Sequence, residues 1–559
     1  MRGFHSCAAL VGYAQAHAKQ TLGQRTPVVA PLVQGEAPQT AAPAPTADAV
    51  AGTDYSTTNN QEAAVDEPDI VKTDGDTLFT VAGDTVYALT AHGDARILGS
   101  LKLGDYGGQL FLRGHRLVAI TQKGYLYPLA LRVAAPLPYP GVAKTQLTEI
   151  DVSDPSDLKV LRTLTFDGSF ADARQNGGTI RVVVNSQPQA PRWLPRSHFV
   201  SNVTGKRRAR NFVPCNRVSR PPVFSGLGML SIVTLNLDKG LWQEDSDGVM
   251  TDAQTVYGST RHLFVATQRW IAPDTPADEL PQGTRTLISR FDVSDPDSTT
   301  YEGSGSVPGY LLNQYSLSEQ AGDLRVATTT EPIWWNGAQA VPSQSMVTVL
   351  RGRALTKVGQ VSGLGHGQRI YSVRFIGDVG YVVTFRQVDP LYVIDLSDPA
   401  NPRVRGQLEL PGYSAYLHPV GSGRLLGIGG GQASLFDVSD PAAPKLLDRL
   451  DTGFSQVDYD PHAFLWWPAK RLALLPAQNG IVGLRVASGL TQAGTIDQAG
   501  AQRSVVVGDR VYTVAGGGVL ASDLDSLAKL SFVAFPQPAT GAPGGPPTGP
   551  PQPVAPAAR

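Results

Sequence analysis

Residues 391–410 read LYVIDLSDPANPRVRGQLEL. Apolar side chains dominate up to Asp395, Ser397 and Asp398 offer side-chain oxygens to the backbone of a turn, and Pro399 stops the strand before another begins. Just upstream, SVRFIGD (372–378) and GYVVTF (380–385) are two further strand-like runs sharing the tight link Gly-Asp-Val-Gly. Four short strands therefore follow one another within one unit. The pentapeptide of the turn recurs as Asp151-Val-Ser-Asp-Pro155, Asp292-Val-Ser-Asp-Pro296, Asp395-Leu-Ser-Asp-Pro399 and Asp437-Val-Ser-Asp-Pro441. The last two copies are 42 residues apart (437 − 395), the length of one four-stranded propeller blade.

Working outward with this template, units start near Ile70, Gln109, Phe170, Ala253, Tyr310, Gln368, Tyr413, Gln456 and Ala501. The fold predicted is all-β: one large β-propeller of about eight four-stranded blades, with seven to nine admitted because a candidate unit can be an accessory hairpin or a closing strand set. Each blade alone leaves an apolar face and an edge exposed, and closing the ring hides both.

The flanks read differently. Residues 1–26 form a helical segment, with Ser6 placed to cap it and Leu10, Ala14 and Ala18 on one face. Residues 27–56 have the Pro/Ala-rich composition of a flexible linker, 57–535 hold the propeller, and 536–559 make a disordered Pro/Gly-rich tail. Insertions at 122–145, 186–226 and 269–284 are expected as loops outside the blades.

With 42% hydrophobic and 17% charged residues, the 559-residue chain can build a sizeable core. A net charge of −1 removes the broad attraction that nucleic acid or an anionic membrane requires, so neither is an expected partner. No run approaches the ~20 apolar residues of a membrane span. A monomer is expected. The first residues lack the basic segment and apolar run of an export signal, which taken literally means a cytoplasmic protein; the expectation adopted instead is a secreted or cell-surface protein whose signal peptide is missing from this chain.

TTNNQEAAVDEPDIVKTDG (57–75), SAYLHPVG (414–421), SLFDVSDP (434–441) and DPHAFLWWP (460–468) resemble a bacterial and archaeal family of secreted proteins with a C-terminal β-propeller distantly related to WD40 repeats. The resemblance spans roughly residues 57–535. It implies fold and export and carries over no catalytic residue. FHSCAALVGYAQAH (4–17) is similar to the region that follows the signal peptide in such proteins, while the signal itself is lacking and GIGGGQASLF (427–436) is shorter than the corresponding loop.

Cys7 and Cys215 can bridge the helix to the second insertion or remain two buried thiols. Asp66, Glu67, Asp69 and Asp74 form an acidic segment suited to a hard cation, which makes calcium the candidate cofactor; no EF-hand spacing is present. The structural alternative pairs Asp66 and Glu67 with backbone or basic groups and places Asp74-Gly75 in a tight turn. A second acidic stretch, Glu244 to Asp252, has Asp-x-Asp-Gly character with too few ligands. His418 and His462, with Asp460, are candidates for facing side chains in the central channel, as a metal site or general base, or as core histidines. Trp467 and its neighbour Trp466, like Trp334 and Trp335, are candidate stacking platforms, although adjacent residues of a strand point to opposite faces and favour packing between blades. Lys206-Arg-Arg-Ala-Arg210 reads as a solvated loop or a contact for an acidic partner.

No nucleophile elbow, HExxH, Walker or dinucleotide motif is present. LDKGLWQED (237–245) resembles a turn of quinone-cofactor propellers and occurs once, not in every blade. Two functions follow: an extracellular binding scaffold for a protein, peptide or wall glycan, or a metal-dependent hydrolase or lyase with its site in the channel. The first is favoured.

Overall fold

In the computed structural model the described residues are 2–22, 54–62, 64–105, 107–123, 143–187, 193–221, 224, 226–251, 254–268, 284–330, 342–385, 389–410 and 412–536. Most of the expected linker, the tail beyond 536, residues 124–142 and 269–283, Asp252 and the pair Trp334-Trp335 lie outside them.

The four pentapeptides all close the third strand of a unit. The first aspartate accepts the backbone N–H two residues on, at 3.0 Å for Ser153, 2.8 Å for Ser294, 3.0 Å for Ser397 and 3.0 Å for Ser439. The second aspartate does the same beyond the proline, to Ser156, Asp297, Ala400 and Ala442. Two successive side-chain caps thus satisfy the turn backbone that proline leaves without a ladder partner. Hydrogen bonds from Ser397 hold the Asp395 carboxyl down at about 2, so the cap stays ionised.

Among the described residues the strands form nine sheets, seven of them four-stranded. Strand sets 71–102, 109–167, 169–249, 255–308, 317–364, 369–410, 416–451, 465–497 and 501–534 are blades 1 to 9 in chain order, within the predicted range and at its upper end. First strands start close to the predicted positions. The largest offsets, in blades 5 and 8, arise because pairing begins as single bridges, Tyr310 with Thr329 and Ser455 with Ala477, before short 3-10 turns lead into the ladder. Alternation along each strand sends successive side chains to opposite faces of the blade, so the core divides into nine clusters, each shared by two neighbouring blades. Val71, Leu78 and Leu89 of blade 1 pack with Val505, Tyr512 and Val519 of blade 9, which closes the ring.

The pentapeptide turn also links neighbours. A side chain at Gly99, Gly359 or Gly406, on the outer strand of blades 1, 5 and 6, would collide with the carbonyl oxygen of Pro155, Pro399 or Pro441 in the next blade. The glycines are needed for this close approach.

Blades 2 and 3 differ from the rest. Residues 196–211, expected as loop, form a hairpin of Arg196–Ser201 and Arg207–Asn211 that extends blade 2 to six strands. Blade 3 is extended by Val218–Arg220, which pairs with Arg2–Gly3 at the N-terminus. The helix spans Cys7–Leu22, is capped by Ser6 Oγ accepting from Ala9 N at 3.1 Å, and packs Leu10 into the cluster between blades 2 and 3, with Ala14 also buried. A disulfide joins Cys7 to Cys215 across 208 residues.

Candidate functional site

The motif-rich segment 54–69 has no blade of its own and threads the centre of the ring. It enters along blade 9, where Ser56 and Val506 exchange hydrogen bonds of 2.8 and 2.9 Å. Asn59 donates to Pro461 O and to the Tyr416 hydroxyl, reaching blades 8 and 7. Gln61 donates to Gln314 O and Leu317 O at blade 5, and the Tyr257 hydroxyl of blade 4 donates to Glu62 at 2.7 Å. The chain then turns at Ala64, whose φ of 65° is left-handed. Val65–Asp66 pairs with Asn176 and Gln175 of blade 3, and Asp69 pairs with Leu110 of blade 2 before the chain becomes the first strand of blade 1.

This path explains the acidic residues. Lys72 Nζ lies 2.7 and 2.8 Å from the two Asp66 oxygens and also donates to Thr58 Oγ1 and Glu67 O. Glu67 is buried beside Arg174 at 3.8 Å, and His462 Nε2 is 3.5 Å away. Burial alone would raise the Glu67 carboxyl, but Arg174 and the contact with His462 hold it below the usual carboxylate range. Asp172, on the other side of Arg174, is raised by burial. Arg503 binds Asp69 and Asp460 at 2.8 Å each. Asp74 accepts the N–H groups of Asp76 and Thr77 in the first turn of blade 1. Asp66, Glu67, Asp69 and Asp74 thus face separate partners and do not converge on a calcium, and among the described residues no group of three His, Cys, Asp or Glu is arranged to hold a metal ion. The arrangement is that of the structural alternative, with each acid paired or capping a turn. In the second stretch Asp245 and Asp247 follow the same rule, binding Arg217 at 2.6 and 2.8 Å.

Of the candidate channel residues, His462 and Asp460 meet each other, while His418 has contacts of its own. His418 is buried, with Nδ1 3.0 Å from the Tyr416 hydroxyl and its ring packed 4.7 Å from Phe464; burial pushes its pKa well down, so it is neutral. His462 lies on a short 3-10 turn, 4.0 Å from Asp460, while Asp460 is engaged by Arg503. Trp466 packs into the cluster between blades 7 and 8 and Trp467 into that between blades 8 and 9, the opposite-face placement that a strand dictates.

A cavity of about 360 Å³ lies between the threading segment and blades 1, 2, 3, 8 and 9, beside the first turns of blades 1 and 3. Thr57, Thr58, Asn59, Asn60, Gln175 and Ser504 supply its hydroxyl and amide lining, the Lys72–Asp66 pair, Asp69 and Arg503 its charged groups, and His462 an imidazole. Gln175 Oε1 and Ser504 Oγ are buried without a hydrogen bond among the described residues, while His462 Nε2 is directed at Glu67. Of the candidates read from sequence, Asp66, Asp69 and His462 line this cavity. Lys72, Arg503, Gln175 and Ser504 were not singled out; Lys72 stands inside a quoted motif, whereas nothing in the local sequence marks the other three.

Residues 55–527 match the family described as Beta propeller domain. The chain belongs to this family. An uncharacterised protein of Archaeoglobus fulgidus is 29% identical over 595 residues, covering 90% of this chain and 87% of that protein. The uncharacterised Methanocaldococcus jannaschii protein MJ1554 is 27% identical over 492 residues, covering 76% and 74%. Among solved structures, apo AztD from Citrobacter koseri is similar with a TM-score of 0.37 and 11% identity over 84% of this chain and 94% of that one. The C-terminal WD40 domain of Sif2 gives 0.36 and 10% over 75% and 95%. The Beta propeller match begins with the threading segment itself, which is part of the domain and not a linker to it. No helix among the described residues is long and apolar enough to cross a membrane.

Proposed function

We propose that the protein is an exported, cell-surface binding module that holds an uncharged, hydroxyl-rich ligand, such as a residue of a wall glycan, in the cavity beside the threading segment. The observation that carries this reading is the lining: the hydroxyl and amide side chains of Thr57, Thr58, Asn59, Asn60, Gln175 and Ser504 gathered around one cavity. Such a wall offers donors and acceptors while its charges are neutralised internally, which suits a polyol better than an ion. The volume is at the lower end for a small-molecule site. The disulfide supports export, because such bridges persist in oxidising compartments. The separate pairing of the carboxylates favours binding over metal-assisted hydrolysis.

Titration calorimetry with a panel of neutral mono- and disaccharides tests this. The expected result is saturable binding that Ser504→Val, which puts methyl groups where the hydroxyl stood, weakens at least tenfold without loss of fold. A panel with no binder, or a variant that binds as well as the parent, refutes it.

A further inference from the structure

The hairpin added to blade 2 ends in Arg207–Asn211, the terminal strand of its sheet. Its register fixes which backbone groups are free. Ser201 N donates to Lys206 O and Phe212 N to Pro195 O, so residues 206, 208, 210 and 212 bond inward to the partner strand. The N–H and C=O groups of Arg207, Ala209 and Asn211 therefore point outward along an edge that no other strand among the described residues pairs with. The same strand carries Arg207, Arg208 and Arg210, with Lys206 just ahead of it, in a chain of net charge −1, and none of the four is in an ion pair with a carboxylate among the described residues. Arg208 and Arg210 lie over the Trp242 ring at 5.2 and 5.7 Å, and Arg207 projects to the other face opposite Val200. Cations thus flank both faces of an unpaired edge.

We propose that this edge is a docking site for an extended acidic peptide segment, which adds as a further strand beside Arg207–Asn211. Main-chain hydrogen bonds to 207, 209 and 211 set its register, and its carboxylates meet arginines on alternating faces. A second copy of this chain pairing edge to edge would set like charges against one another, so the occupant is a different, acidic chain.

A fluorescent eight-residue peptide of glutamate and valine is titrated into the intact protein by anisotropy, with the glutamine-for-glutamate peptide as control. Binding of the acidic peptide alone is expected, weakened at least tenfold by R207Q/R208Q/R210Q and also by Ala209→Pro, which deletes an outward N–H and leaves the inward ladder and every charge in place. Circular dichroism and an unchanged Tm confirm that both variants fold. Failure to bind the acidic peptide overturns the proposal. So does binding that Ala209→Pro leaves intact, or equal binding by a sulfated polysaccharide or an anionic vesicle, since either would reduce the strand to a patch of charge.

Discussion

Replacing Arg503 with methionine removes the cation that joins Asp69 at the end of the threading segment to Asp460 ahead of blade 8. All three side chains are nearly inaccessible, at 8%, 4% and 8% exposure, so water replaces little of what is lost. Asp69 keeps the Ile70 N–H, and Asp460 keeps a 3.4 Å contact from Gln456. Stranding a buried charge in this way costs about 3–5 kcal/mol. At about 2.1 cal/mol/K per residue, the unfolding entropy of a ring this long is about 1 kcal/mol/K, so Tm should fall by about 3–5 °C at pH 7. Adding Asp69→Asn and Asp460→Asn to Arg503→Met should recover most of the loss, because the charge is then absent and not unpaired. Calorimetry of the three proteins, parent, single and triple variant, measures this. A drop below 1 °C, or one that the asparagines do not reverse, would refute the claim that this triad is held by mutual neutralisation.

Gly406→Ala should destabilise by about 1–3 kcal/mol in denaturant titration, because the new methyl meets the Pro441 carbonyl of the next blade and the Pro444 ring. Gly12→Ala, on the open side of the helix, should cost nothing. Burial raises the Asp458 carboxyl to about 6, above its unfolded value, with Oδ1 unbonded and only Gly430 N near Oδ2. Its penalty is absent below the unfolded value, grows as pH rises towards 6 and is constant above, so Asp458→Asn should be more stable than the parent at pH 7–8 and equal to it at about pH 3. Reducing Cys7–Cys215 opens a 208-residue loop, for which the chain-entropy model gives about 5 kcal/mol. Limited proteolysis of the reduced protein should cleave first around the helix and leave the ring intact.

The ring was largely legible in the chain because its information is local. Aspartates that cap their own turn, a proline that ends a strand and alternation over a few residues all act within one blade, and the blade starts followed from them. The exceptions have physical causes. In 196–211, four closely spaced cations hid a hairpin whose alternation is real, with Ser197 and Phe199 inward and Arg196 and His198 outward. The channel was illegible for the opposite reason. Asp69 meets Arg503 434 residues away and Gln61 meets Leu317 256 residues away, so composition showed acidic residues without the cations that neutralise them. The calcium reading arose from that gap. The tryptophan pair 466–467 was placed well because opposite-face alternation is itself local.

The most direct test of the channel account is the metal content of the purified protein, measured together with its melting temperature before and after chelation. Carboxylates neutralised by Lys72, Arg174 and Arg503 predict no stoichiometric metal and a Tm unchanged by chelator. One bound calcium or zinc per chain, lost on chelation with a fall in Tm of several degrees, would contradict it.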